Sequence, residues 1–172
     1  MVVATTATIC EKVCSVSAKI VCWAVLTMAL TTFVVVVLRY GFNLGWVALQ
    51  ESIQYQHAFV FMLFAAHALG QDEHVRVDIF YRHWSGKQQA WVNIFGTIAF
   101  LFPVCMSIVF YSWSYVLESW RLLEGSKEAG GLPLVFVMKS LIPAFAVLMM
   151  LQGIAIVLRA MQSLLNTTER AT

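Results

Sequence analysis

Residues 20–38 read IVCWAVLTMALTTFVVVVL, an uncharged stretch closed by Lys19 on one side and by Arg39 on the other. At about 1.5 Å of rise per residue, a helix of this length reaches about 30 Å, the thickness of the hydrocarbon core of a bilayer. A helix on the surface of a soluble bundle has a polar outer face, and this stretch offers none. The stretch therefore predicts a transmembrane helix.

The same pattern recurs three times along the chain. The charged residues that close these further stretches are Glu51 and Asp72, Lys87 and Glu118, and Lys139 and Arg159. With 60% hydrophobic and 12% charged residues, the chain has too few polar side chains to solvate a compact globule. We therefore predict an all-α integral membrane protein, a single membrane domain over residues 1–172, with four transmembrane helices at about 20–38, 52–71, 90–113 and 140–158.

The positive charges predict the orientation of these helices. Of the 11 Lys and Arg residues, most lie in the N-terminal tail, the second loop and the C-terminal tail, and fewer lie in the first and third loops. The positive-inside rule then predicts that both termini are cytoplasmic. We interpret the first span as a retained signal anchor, because Arg39 and Tyr40 follow it instead of a small-x-small cleavage site. The net charge of +2 excludes nucleic acid as an expected partner.

Two histidines in the second predicted span, His57 and His67, are the first candidates for chemistry, since polar groups at membrane depth are often functional. A haem held by two histidines needs one from each of two facing helices, and all 4 histidines lie in this span or in the loop after it. We expect both side chains to reach an interface or to bond across helices. The spacing of Cys10 and Cys14 matches neither a redox nor a zinc motif. No catalytic residue, cofactor or metal site is therefore predicted.

The loops carry motifs that point to a known family. These motifs are Leu38-Arg39-Tyr40-Gly41-Phe42-Asn43 with Trp46 and Glu51 after it, His74-Val75-Arg76-Val77-Asp78, Glu124-Gly125-Ser126, Gly130-Gly131-Leu132-Pro133, and Leu151-Gln152-Gly153. Together they resemble the small membrane subunit (DctQ type, or Q subunit) of tripartite ATP-independent periplasmic (TRAP) transporters, in particular the branch for mannitol or chloroaromatic compounds. The resemblance covers roughly residues 38–159. In many members an acidic residue follows the tryptophan more closely than Glu51 follows Trp46 here.

The resemblance implies a function. In such systems a periplasmic substrate-binding protein captures an organic acid, a large membrane subunit carries it inward with sodium, and the small subunit braces the stationary scaffold. The implied protein is a non-catalytic, multi-pass subunit in the bacterial inner membrane, and its partners are the large TRAP membrane subunit, the periplasmic binding protein and the lipid bilayer. Two other functions stay open: a haem- or quinone-bearing membrane anchor subunit of a redox enzyme, and a small self-sufficient oligomeric transporter.

Two sets of loop residues are candidate contact sites. The set expected at the interface with the large subunit is Arg39, Trp46, Glu51, His74, Arg76 and Asp78, and the set expected where the binding protein docks is Arg121, Glu124, Lys127, Glu128 and Lys139. A pair of Arg39 with Glu51 would pin the chain to itself or to the large subunit. The alternative to each contact is a structural role. Arg39 would reach the membrane interface, Glu51 would start a helix, residues 74–78 would form a turn, and Lys139 would mark the start of the last span.

Overall fold

The computed structural model describes residues 2–71 and 83–169. The elements in this part of the chain are α1 (Val2–Gly41), α2 (Val47–Gly70), α3 (Gly86–Gly96), a π-helical turn (Thr97–Leu101), α4 (Phe102–Leu122) and α5 (Val135–Glu169). The π-helical turn joins α3 directly to α4, so residues 86–122 form one continuous rod. No strand occurs between these helices in the described ranges, which confirms the all-helical prediction for them.

Three helical segments are long and apolar enough to cross a membrane. They are Thr5–Gly41, Gly86–Leu122 and Val135–Leu165. They contain three of the four stretches that the sequence predicted as spans. Helix α2 is not among them, because its first half carries the polar side chains of Gln54, Gln56 and His57. Three helices that could cross a membrane are thus present in the described residues, and a fourth span at 52–71 stays a prediction.

Helix α5 is central to the bundle. It contacts α1, α2, α3, the π-helical turn and α4, while α1 and α2 also pack against each other. The buried cluster between the helices consists of Cys14, Ala66, Cys105, Ala146 and Met149. Most of these side chains are small, which lets helix backbones approach closely, as is typical of helix packing in membranes.

Helix α1 has two halves of different character. Its buried residues are Ala7, Cys10, Cys14, Ala18 and Val21, all in the N-terminal half and spaced three or four residues apart. Residues 22–41 contain no buried side chain, and Phe33 is 66% exposed. The half of α1 that packs on α2 and α5 thus begins well before the predicted span at residue 20. Hydropathy did not reveal this, since Lys12 and Lys19 interrupt the apolar run while lying on the exposed side of the helix.

The π-helical turn lies where α5 crosses the α3–α4 rod. Gly153 of α5 is buried there, and a Cβ at this position would lie 2.5 Å from Leu101 Cδ2 and 3.0 Å from Thr97 Cγ2. No side chain fits between the two helices, so Gly153 is what permits their close approach. The irregular turn precedes Pro103, which has no N–H to donate to a regular α-helix.

Candidate functional site

The loop between α4 and α5, residues 123–134, folds back on itself at one end of the bundle, which we call the loop end. Leu123 ends α4 with a positive φ of 46°, and Gly130 has a φ of 76°. Inside the loop, the Ser126 N–H donates to the Leu132 carbonyl at 3.0 Å, and the Gly131 N–H donates to the Glu128 carbonyl at 3.0 Å. The loop therefore has a defined backbone that side chains of other elements can bind.

Glu51, near the start of α2, fastens this loop to α2. Its carboxylate accepts the Leu132 N–H at 2.6 Å and the Ser126 hydroxyl. A Cβ on Gly131 would lie 2.7 Å from Glu51 Oε2, so only glycine leaves room for the carboxylate. Hydrogen bonds to an ionised group belong to the stronger class, and here they join segments that are far apart in sequence.

Lys139, in the first turns of α5, fastens the loop from the other side. Its ammonium group donates to Glu124 and lies 3.8 Å from the centroid of the Tyr115 ring. The Ser119 hydroxyl donates to the same carboxylate oxygen of Glu124 at 2.7 Å. Lys139 is only 8% exposed, which is rare for a lysine and requires such partners. These bonds join the loop to both α4 and α5.

Glu51 and Glu124 are both held in the ionised form. The Ser126 hydroxyl and the Leu132 N–H lower the pKa of Glu51 below its ordinary value, because they donate to the charged carboxylate. The ammonium group of Lys139 and the hydroxyl of Ser119 lower the pKa of Glu124 in the same way. A carboxylate with a lowered pKa stabilises the fold above its ordinary pKa, and this contribution is lost as the pH falls through the lowered pKa.

This linkage predicts how the loop responds to pH. We expect amide hydrogen exchange in residues 126–132, corrected for intrinsic rates, to be equally slow from pH 7 down to about 5 and to accelerate at lower pH. Glu51→Gln is the matched control, since it removes one of the two titrating carboxylates and should weaken the acid response. Acceleration between pH 6 and 7, or unchanged protection at pH 3, would show that other groups hold the loop.

The residues predicted at the large-subunit interface do not share one kind of environment in the structure. Arg39 is exposed and has no ion pair in the part of the chain that the structure describes, while Glu51 binds the loop. Trp46 directly precedes α2 and is 70% exposed. The remaining three, His74, Arg76 and Asp78, lie outside the described residues. Arg39 and Trp46 are thus available to a partner, and Glu51 acts within the chain.

The residues predicted for binding-protein docking fall into two groups. Arg121, Lys127 and Glu128 are exposed. Glu124 and Lys139 are instead bonded to each other between the loop and the helices. The exposed group offers a charged rim at the loop end, and the bonded pair holds the loop that presents this rim.

Several residues at the loop end were missed by sequence reasoning. Ser119 and Tyr115 were not candidates, although the spacing of four residues places them on one face of α4. Ser126 was quoted only as part of a motif. The Leu132 N–H leaves no trace in a sequence, because every residue except proline carries one.

The two histidines of α2, His57 and His67, each contact an aromatic ring of their own helix. His57 is exposed and stacks on Phe61 with the ring centroids 6.4 Å apart, and His67 makes an edge contact with Phe64 at 5.5 Å. Within the ranges that the structure describes, no group of three His, Cys, Asp or Glu side chains is placed to hold a metal ion. The side chains of the loop end form hydrogen bonds that hold the loop in place.

Comparison with known proteins identifies a family. The family described as "Tripartite ATP-independent periplasmic transporters, DctQ component" matches residues 28–163. No curated protein and no solved structure matches the chain. The family match covers residues 28–41 of α1, α2 to α4 and most of α5, and it includes every described residue of the loop end.

Proposed function

Because the chain belongs to the DctQ family of TRAP transporter components, we propose that it braces the large membrane subunit of a sodium-coupled importer of organic acids. Membership itself makes the chain a small component of a transporter and not an enzyme. The family works in general with a large membrane subunit and a periplasmic binding protein. The bracing role, the sodium coupling, the organic-acid substrate and the mannitol or chloroaromatic branch belong to the proposal.

The observation that carries the bracing role is the contrast between exposed helices and a fastened loop. Residues 22–41 of α1 have no buried side chain, and the α3–α4 rod exposes large apolar residues such as Phe100 and Phe110, which are 66% and 76% exposed. Lipid or another membrane protein must cover these surfaces. At the loop end, Glu51 and Lys139 hold the connecting loop by charged hydrogen bonds. A subunit that supports a partner needs such wide apolar faces and a stiff frame.

The proposal includes a membrane topology with four crossings. Helix α2 has 24 residues, or about 36 Å of helix, and packs alongside α1 and α5. We take it as the fourth span, at about 52–71, so that four crossings return the chain to the side where it began. With both termini in the cytoplasm of the bacterial cell, the loop end faces the periplasm. A soluble binding protein then approaches the complex from the loop end.

The exposed charges of the loop end test this docking proposal. Neutralising Arg121, Lys127 and Glu128 together to Gln should raise the concentration of binding protein needed for half-maximal uptake by about three- to tenfold, since each rim charge contributes little alone. The complex with the large subunit should stay intact, because none of these side chains holds the loop. The measurement is uptake by the reconstituted complex as binding protein is titrated.

Lys87→Gln is the control for this titration. Lys87 is exposed at the start of α3, at the opposite end of the bundle, and its loss should leave the titration unchanged. If Lys87→Gln raises the required concentration and the triple variant does not, the binding protein docks at the other end and the proposed orientation is inverted.

A further inference from the structure

The end of the bundle opposite the loop end, which we call the terminal end, contains a polar cleft between α1, α2 and α5. Its volume is about 350 Å³, and the residues that matter for its chemistry are Glu11, Lys12, Ser15, His67, Gln152 and Arg159. The three helices thus bring two cations, a carboxylate, two hydroxyl or amide groups and an imidazole to one concave surface. Family membership assigns no role to this cleft.

Gln152 indicates that the cleft is built to bind a ligand. Its side chain is 97% buried, it lines the cleft, and it makes no hydrogen bond to any residue in the ranges that the structure describes. Gly70 allows the amide to sit there, because a Cβ at position 70 would lie 2.4 Å from Gln152 Nε2. An amide that lines the cleft without a partner from the described residues can bond to a ligand there.

The charges of the cleft favour an anion. Arg159 pairs with Glu11 and uses one of its N–H groups for this bond, so other guanidinium donors stay available. Lys12 is exposed and has no ion pair within the described part of the chain. Lys12 and Arg159 against Glu11 leave one positive charge. A phosphate group, with several strong acceptor oxygens, suits the Lys12 ammonium and the Gln152 amide.

An apolar groove lies beside this cleft and indicates the source of the phosphate. It has a volume of about 340 Å³ and is lined by Ile9, Lys12, Val13 and Val16. Lys12 thus lines both the polar cleft and the apolar groove. The groove therefore adjoins the cleft along the same stretch of α1.

We propose that the terminal cleft binds the phosphate of an anionic phospholipid and that the apolar groove holds one of its acyl chains. Free phosphate has the same charged group and no use for the groove, so the lipid is the occupant that fits both features. The inference rests on the geometry of the cleft and holds independently of the bracing role.

Native mass spectrometry of the full-length chain in detergent tests this inference by measuring retained lipid. We expect the wild-type chain to retain phosphatidylglycerol about fivefold more than phosphatidylcholine, and we expect Lys12→Gln to abolish this preference, since one cation near the membrane surface accounts for a factor of this size. Gln152→Met, which keeps the volume of the side chain but not its amide, should also reduce the preference. Lys127→Gln, at the loop end, should retain it.

Four outcomes would overturn the proposal. Equal retention of the two lipids by the wild type would show that the headgroup is not recognised. A preference that survives Lys12→Gln would place the lipid elsewhere. Binding of glycerol phosphate or inorganic phosphate as tightly as the lipid would show a site for free phosphate, and loss of the lipid when the large subunit is added would show a protein contact instead. Because Lys12 is exposed, its variant tests the idea even if Gln152→Met fails to fold.

Discussion

Lys139→Met is expected to release the loop at residues 123–134 while the helices stay assembled. The substitution removes the cationic hydrogen-bond partner of Glu124 and leaves that carboxylate with the Ser119 hydroxyl. Hydrogen bonds to charged groups are the stronger class, so we expect cleavage of the loop by thermolysin at least about tenfold faster than in the wild type. The measurement is the cleavage rate beside Leu123 and Leu132 in the purified protein.

Two variants make this result specific. Lys127→Met removes an exposed lysine of the same loop and should leave the cleavage rate near that of the wild type. Adding Glu124→Gln to Lys139→Met removes the carboxylate that lost its partner and should restore part of the protection. Equal cleavage of the Lys127→Met and Lys139→Met proteins would mean that the buried lysine does not hold the loop.

The helices could be predicted from the sequence because their physical cause is local. An uncharged run of about 20 residues has few alternatives to a helix when it must satisfy its backbone in lipid. The packed half of α1 could not be predicted in this way. There the small buried residues Cys14 and Ala18 lie among polar residues, and Lys19 lowers the mean hydropathy of any window that contains it.

The contacts of the loop end could be predicted only in part. Glu51 and Lys139 were chosen from the sequence because they are charges at the ends of predicted spans. Their partners were not found, since the bonds of Glu51 to Ser126 and Leu132 join residues 75 and 81 positions apart. Such a contact depends on how α2 and α5 pack, and one of the two donors is a backbone N–H. The expected pairing of Glu51 with Arg39 was one of two options, and Glu51 instead binds the loop.

Fastening the loop and exposing the helices serve one purpose in the proposed complex. The bonds of Glu51 and Lys139 give the loop end a fixed shape, and Arg121 and Lys127 are displayed on that shape. The apolar surface of residues 22–41 stays free for the large subunit. In this proposal, substrate movement is the task of the large subunit, and the present chain supplies a stationary support.

Transport by purified components in liposomes tests this division of labour most directly. Reconstituted alone, the chain should give no sodium-driven uptake of an organic acid above that of empty liposomes, and uptake should appear when the large subunit and the binding protein are added. Omitting only this chain from the three-component system should abolish uptake or reduce it strongly. Accumulation of substrate by the lone chain would contradict the account, because a subunit that only braces its partner cannot move substrate by itself.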